Sequence, residues 1–134
     1  DTRLPYATLF RSKLHDCETF HVPTQATIKY RARTGSVAGP WQTRKWGVGG
    51  KHEWTIEYVT VHVTLVDEAG NELSNPPYYL EIQHVGSAGT CDTFHVPVDS
   101  TIKWRPRKGS SAGSWQSKSW PSGGSKEWTV VVTL

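Results

Sequence analysis

Residues 17–60 of this chain return as residues 91–134 at a constant offset of 74, without a gap and with about half of the positions identical. A repeat of this length means two copies of one structural unit, each with the same apolar face to bury. The phrase that closes each copy is the most regular part. "WQTRKWGVGGKHEW" starts at Trp41 and "WQSKSWPSGGSKEW" at Trp115, so Trp41, Trp46 and Trp54 match Trp115, Trp120 and Trp128. The rings stay in register while Gly47-Val48 becomes Pro121-Ser122 and Lys51-His52 becomes Ser125-Lys126. The rings are therefore what the unit is built around.

The remaining shared positions alternate as a half-buried strand does. In "TIKYRAR", Ile28, Tyr30 and Ala32 fall on one face and Lys29, Arg31 and Arg33 on the other. The second copy sets Ile102, Trp104 and Pro106 against Lys103, Arg105 and Arg107. The basic side is expected to face solvent. "EWTIEYVTVHVTLV", from Glu53, also alternates and holds no Gly, Pro or Asn in 14 residues. It reads as the last strand of copy one running straight into the first strand of copy two. No segment has a helical period.

Residues 61–77, "VHVTLVDEAGNELSNPP", precede the second copy, and only "DTRLPYATLF" and a short loop precede the first. The first copy thus lacks an opening strand and hairpin. The chain starts at Asp1 and holds no Met, which reads as a processed or trimmed fragment of a longer array; the other readings are completion by another molecule and one pseudo-symmetric domain that does not need the strand. The expected division is residues 1–60 for module one and 61–134 for module two, each close to the smallest size that supports its own core.

The segment "VTLVDEAGNELSNPPYYLEIQHVG", with Asp67 and Gly70 in its hairpin, and the later "TFHVP" with Phe94, Val96 and Pro97 resemble the prealbumin-like β-sandwich repeats of bacterial surface proteins, both the B-type collagen-adhesin repeats and the carboxypeptidase regulatory-like domains. The resemblance covers most of residues 61–107 and implies an extracellular structural or adhesive role. Many B-type repeats carry an isopeptide bond from a Lys in the opening strand to a late Asn. Here residues 61–66 hold no Lys and the closing strand no Asn, so that cross-link is not carried over.

Composition narrows the function. With 36% hydrophobic residues, 12 Gly, 8 Pro and 7 Trp, the chain is turn-rich and globular, and too rich in rings for disorder. A net charge of +3 favours acidic partners weakly and is too small to indicate nucleic acid. No apolar run reaches the ~18 residues of a membrane span. His15, Cys17 and His21 suggest a metal site, as does Cys91 with His95, but residues four apart on a strand are ~13 Å apart, and Gly89 stands where a second His15 would fall. No metal or other cofactor is expected. The carboxylates fall in hairpins or on outward strand positions, and the serines in Gly-rich turns without a nucleophile elbow, so no catalytic residue is assigned.

The expected fold class is all-β, two tandem small β-sandwich modules of Ig-like or prealbumin-like type. The expected role is a non-enzymatic structural repeat of a surface filament or adhesin stalk, outside the cell, in which neighbouring copies associate by strand complementation. The assembly strands would be Thr8, Leu9, Phe10 and Arg11, with Trp54, Ile56 and Tyr58. Cys17 and Cys91, equivalent in the two copies, are candidates for a disulfide between chains, and buried free thiols remain open. The alternative is a carbohydrate-binding module. Its ligand platform would be Trp46 and Trp120 with Arg31, Arg33, Arg44, Arg105, Arg107 and Lys118; in the structural reading strand alternation instead puts Trp54 and Trp128 in the core, with Trp41 and Trp115 as lids over it. The same Arg-Trp proximity also serves as packing, because a guanidinium over an indole is itself stabilising.

Overall fold

A computed structural model describes residues 13–134. The described chain is all-β, with no helix. Repeat one contributes β1 (Thr27–Tyr30), β2 (Arg33–Thr34), β3 (Val37–Ala38) and β4 (Gln42–Lys45). A long strand, β5 (Tyr58–Val66), and a hairpin, β6 (Tyr78–Ile82) and β7 (Gly86–Ala88), come next. Repeat two supplies β8 (Thr93–Pro97), β9 (Thr101–Lys108), β10 (Ser111–Ala112), β11 (Gln116–Ser119) and β12 (Gly124–Val131).

Two compact units result, and they do not follow the repeat boundary. One consists of the stretch up to Arg31 with Trp41–Thr55, the other of Ala32–Pro40 with Ile56–Leu134. In the second unit β5 is the central strand of a three-stranded sheet, antiparallel to β8 and parallel to β12. The other sheet places β9 between β6 and β11, with β10 on the end of β9 and β7 beyond β6. The two sheets enclose one core in the manner of a β-sandwich.

The reason β5 is central is visible in its sequence. Val59, Val61, Val63 and Leu65 are at most 1% exposed, and each such burial contributes about 1.5 to 3 kcal/mol. Thr60, His62 and Thr64 alternate with them on the half-buried face. The strand ends at Asp67, whose Oδ1 accepts from Ala69 N and Asn71 N, both at 2.9 Å, and Gly70 takes a φ of 87° in the turn. These bonds, that from Asn71 N first, hold the Asp67 carboxyl below its usual range.

The alternation of the basic strand is as its pattern demands. Lys29, Arg31, Arg33 and Lys103 are exposed and Arg105 and Arg107 half-buried, whereas Ile28, Ile102, Trp104 and Pro106 are buried. One expectation is not met. The 14-residue strand through the junction is shorter: β5 begins at Tyr58, and residues 54–57 form no strand. Their counterparts in β12 are paired to β5, and nothing plays the part of β5 for repeat one among the described residues. Of the expected assembly strands, therefore, Tyr58 lies in β5, Trp54 and Ile56 lie in no strand, and Thr8, Leu9, Phe10 and Arg11 lie outside the described residues.

The hairpin β2–β3 belongs to the second unit. Val37 is 7% exposed in its core, and the Tyr58 hydroxyl donates to Arg33 O at 3.1 Å. A Cβ on Gly39 would stand 3.2 Å from Val98 O and 3.3 Å from Pro97 Cβ, so this approach suits glycine.

Candidate functional site

Each repeat closes a cluster of four rings with the same geometry. In repeat two, Trp128 meets Trp104 at 5.1 Å, Trp120 at 5.4 Å and Phe94 at 6.2 Å between centroids. In repeat one, Trp54 meets Tyr30 at 4.7 Å, Trp46 at 5.3 Å and Phe20 at 6.1 Å. Most of these pairs are edge-to-face, the arrangement the ring quadrupoles favour. The hydrogen bonds that shape the loops recur too, Gln25 N to Trp46 O at 3.0 Å and Asp99 N to Trp120 O at 2.9 Å.

What differs is the cover. Phe94, Val96, Trp120, Trp128 and Val130 are buried, whereas Phe20, Val22, Trp46 and Trp54 are only half-buried and Ile56 is 39% exposed. The segments that would flank a central strand in repeat one are residues 19–23 and 50–57, the equivalents of β8 and β12. Neither forms a strand. β8 and β12 are held only through β5, so copies of them without a β5 have no sheet to join.

The expected ligand platform is rearranged. Trp120 is 7% exposed, a core residue, and Trp46 is half-buried. The outward rings are those expected as lids, Trp41 at 60% and Trp115 at 44%. The guanidinium of Arg31 lies 4.5 Å from the Trp41 ring and that of Arg105 4.4 Å from Trp115. Arg44 lies over Trp46 at 5.2 Å and Lys118 over Trp120 at 5.4 Å, so these cations border the inner rings. Arg33 is tied through its backbone to Tyr58.

A residue that sequence reasoning did not single out organises the second unit's outer face. Glu81 Oε1 accepts from Arg105 Nε and Arg107 Nη1, both at 2.8 Å. These two bonds, Arg105's first, hold the Glu81 carboxyl below its usual range, and the same pairing raises Arg107. The signal for Glu81 was its place in the β6 strand pattern, but its partners follow only from the Glu81–Arg105 register.

Cys17 and Cys91 are exposed free thiols, each at a positive φ, 64° and 72°. Burial of these thiols is therefore excluded. His15 Nδ1 lies 3.2 Å from Glu18 Oε1 and His95 Nδ1 3.0 Å from Thr60 Oγ1. Among the described residues no three His, Cys, Asp or Glu side chains gather as a metal site, and no helix is long and apolar enough to cross a membrane. No protein-family model, curated protein or solved structure matches the chain.

Proposed function

We propose that this chain is a non-enzymatic structural repeat protein of an extracellular or cell-surface assembly, two small β-sandwich modules of Ig-like or prealbumin-like kind joined in tandem. Repeat one is completed by a strand from a neighbouring copy, which links copies head to tail into a filament. The observation that carries this is the difference in cover: the same ring cluster is buried where β5 passes and half-exposed where no described residue takes the place of β5. Residues 19–23 and 50–57 form no strand here, whereas their equivalents β8 and β12 both pair with β5, so a strand from outside would give them the partner that they lack among the described residues. The resemblance to surface-protein repeats supports the same role.

Sedimentation equilibrium and hydrogen exchange over a range of concentrations test the reading. Association is expected, with protection of the amides of residues 19–23 and 54–58 that grows as copies associate. A chain that remains monomeric at high concentration, with those amides fully protected, removes the need for a neighbour and overturns the proposal.

A further inference from the structure

The outer face of the five-stranded sheet carries a second feature, independent of the missing strand. Strand register sets four side chains in a row across it. Ser87 on β7 is opposite Glu81 on β6, Glu81 is opposite Arg105 on β9, and the pairing of Gln116 with Trp104 places Trp115 next to Arg105 on the far side. Arg105 is thereby held between a carboxylate at 2.8 Å and an indole at 4.4 Å. Arg107 is held by the same Glu81 oxygen and reaches back to Gly109 O at 3.4 Å. Glu81, Ser87, Arg107 and Trp115 line an open depression of about 820 Å³ together with Tyr79, Gln83 and His84, and Arg105 stands next to it between Glu81 and Trp115.

Three properties of this row point to one kind of ligand. Two guanidinium groups share one carboxylate, which among the described residues leaves one positive charge without an ion pair. Arg105 spends only Nε on Glu81, and among the described residues its two terminal nitrogens have no hydrogen-bond partner, so one edge of the fork is free for a second carboxylate. Trp115 remains 44% exposed beside that edge, a flat apolar surface of the size a pyranose ring stacks on. Both arginines are already ordered, so a ligand meets little of the usual cost of fixing long side chains.

We propose that this face binds an acidic polysaccharide, a chain of uronic acid units, with a sugar ring on Trp115 and its carboxylate on the free edge of Arg105, while Arg107 fixes Glu81 and adds charge. The pair Arg31–Trp41 repeats the cation and the ring, but among the described residues β6 has no counterpart in repeat one and no carboxylate orients Arg31 as Glu81 orients Arg105. Among the described residues this makes one strong site.

Isothermal titration with an oligogalacturonate, in salt near 0.15 M to screen loose ionic attraction, tests this on the whole chain. Trp115→Ala is expected to weaken binding at least about tenfold. Arg105→Lys keeps the charge but loses the fork and is expected to do the same. Trp41→Ala is expected to leave the affinity within about twofold. Circular dichroism and melting points confirm that the variants fold, which the exposure of both rings favours. Four results overturn the assignment: no binding of the oligogalacturonate, equal binding of a neutral glucan of the same length, Arg105→Lys binding like the parent, or polyglutamate bound as tightly and lost equally in Trp115→Ala, which would give the face to acidic peptides. Self-association of the chain does not enter any of these readouts, so failure here leaves the filament proposal standing, and the converse also holds.

Discussion

Replacing Trp128 by Ala removes the central ring of the covered cluster. Trp128 is 8% exposed and touches three rings within 6.2 Å, Trp104, Trp120 and Phe94. It lies on β12, where its neighbour across the parallel pairing is Val63 of β5, itself 1% exposed. Truncation of a buried Trp typically costs about 3 to 5 kcal/mol, which already contains most of the edge-to-face terms. For a unit of this size each kcal/mol moves the midpoint by roughly 4 to 8 °C, so Trp128→Ala is expected to lower the melting point of the second unit by at least about 12 °C. Trp54→Ala removes the equivalent ring, with the same three neighbours, from the half-covered cluster. There the ring already meets solvent and no described strand takes the place of β5 beside it, so about half the loss is expected, roughly 2 kcal/mol. Urea unfolding followed by near-ultraviolet circular dichroism, at a dilution where the chain is monomeric, reads both. Equal losses in the two variants would refute the argument, because they would mean that repeat one is as well covered as repeat two.

Trp104→Tyr is expected to cost less than about 1.5 kcal/mol, far below the cost of Trp104→Ala. Among the described residues the buried Trp104 Nε1 has no hydrogen-bond partner, and a tyrosine there would copy Tyr30, whose hydroxyl donates to Gln42 Oε1 at 3.1 Å, with Gln116 in the equivalent place; denaturant melts of the two variants decide it. Glu81 sits below its usual value of 4.5, so its contribution is complete above that value and is lost as pH falls through the lowered one. The stability gap between the parent and Glu81→Gln should therefore close in acid, and a gap unchanged down to full protonation would contradict the pairing with Arg105 and Arg107. Both Cys17 and Cys91 should titrate with a thiol reagent without denaturant, since both are exposed. Under oxidation they should give a ladder of linked copies on non-reducing gels, and an unchanged monomer band would exclude the cross-link.

The strands were legible because their alternation is local. Ile28 against Lys29, and Ile102 against Lys103, need only the two-residue period of a pleated strand to be sorted into inside and outside. Alternation also placed Trp128 inside, where it is 8% exposed, but which of Trp115 and Trp120 faces inward was not legible, and the reason is parity. Trp115 and Trp120 are five residues apart, so on one strand they cannot both face the core, and the sequence does not say which does. The register of β11 on β9 decides it: Lys118 is opposite Ile102, which puts Trp120 on the inner side, and Trp115 falls beside Arg105 on the outer one. The Glu81–Arg105–Arg107 group was hidden for the same reason, since its members are joined by strand pairing and not by spacing along the chain.

The local code of the two repeats is the same down to backbone signs, yet the outcome differs. Positive φ recurs at Cys17 and Cys91, Gln25 and Asp99, Gly35 and Gly109, and Gly50 and Gly124, each pair 74 apart. The registers recur as well, Thr27 with Lys45 and Thr101 with Ser119, Arg33 with Ala38 and Arg107 with Ala112. Turns, hairpins and ring geometry are therefore set inside the repeat. Whether residues 19–23 and 50–57 become strands is set outside it, by a β5 that copy two owns and no described part of copy one provides. The sequence responds to that difference where it can. Val37 and Ser111 are equivalent positions, and Val37 is buried in the second unit whereas Ser111 is exposed. At Ile56 the opposite holds: an apolar side chain is kept, 39% exposed, where its counterpart Val130 is 4% exposed against the core. Replacing Val37 with Ser would be costly and replacing Ser111 with Val nearly free, but polar replacement of Ile56 should weaken only the associated form. Ile56→Thr should leave the stability of the monomer within about 0.5 kcal/mol and reduce association, and a variant that still associates as the parent does would separate Ile56 from the assembly.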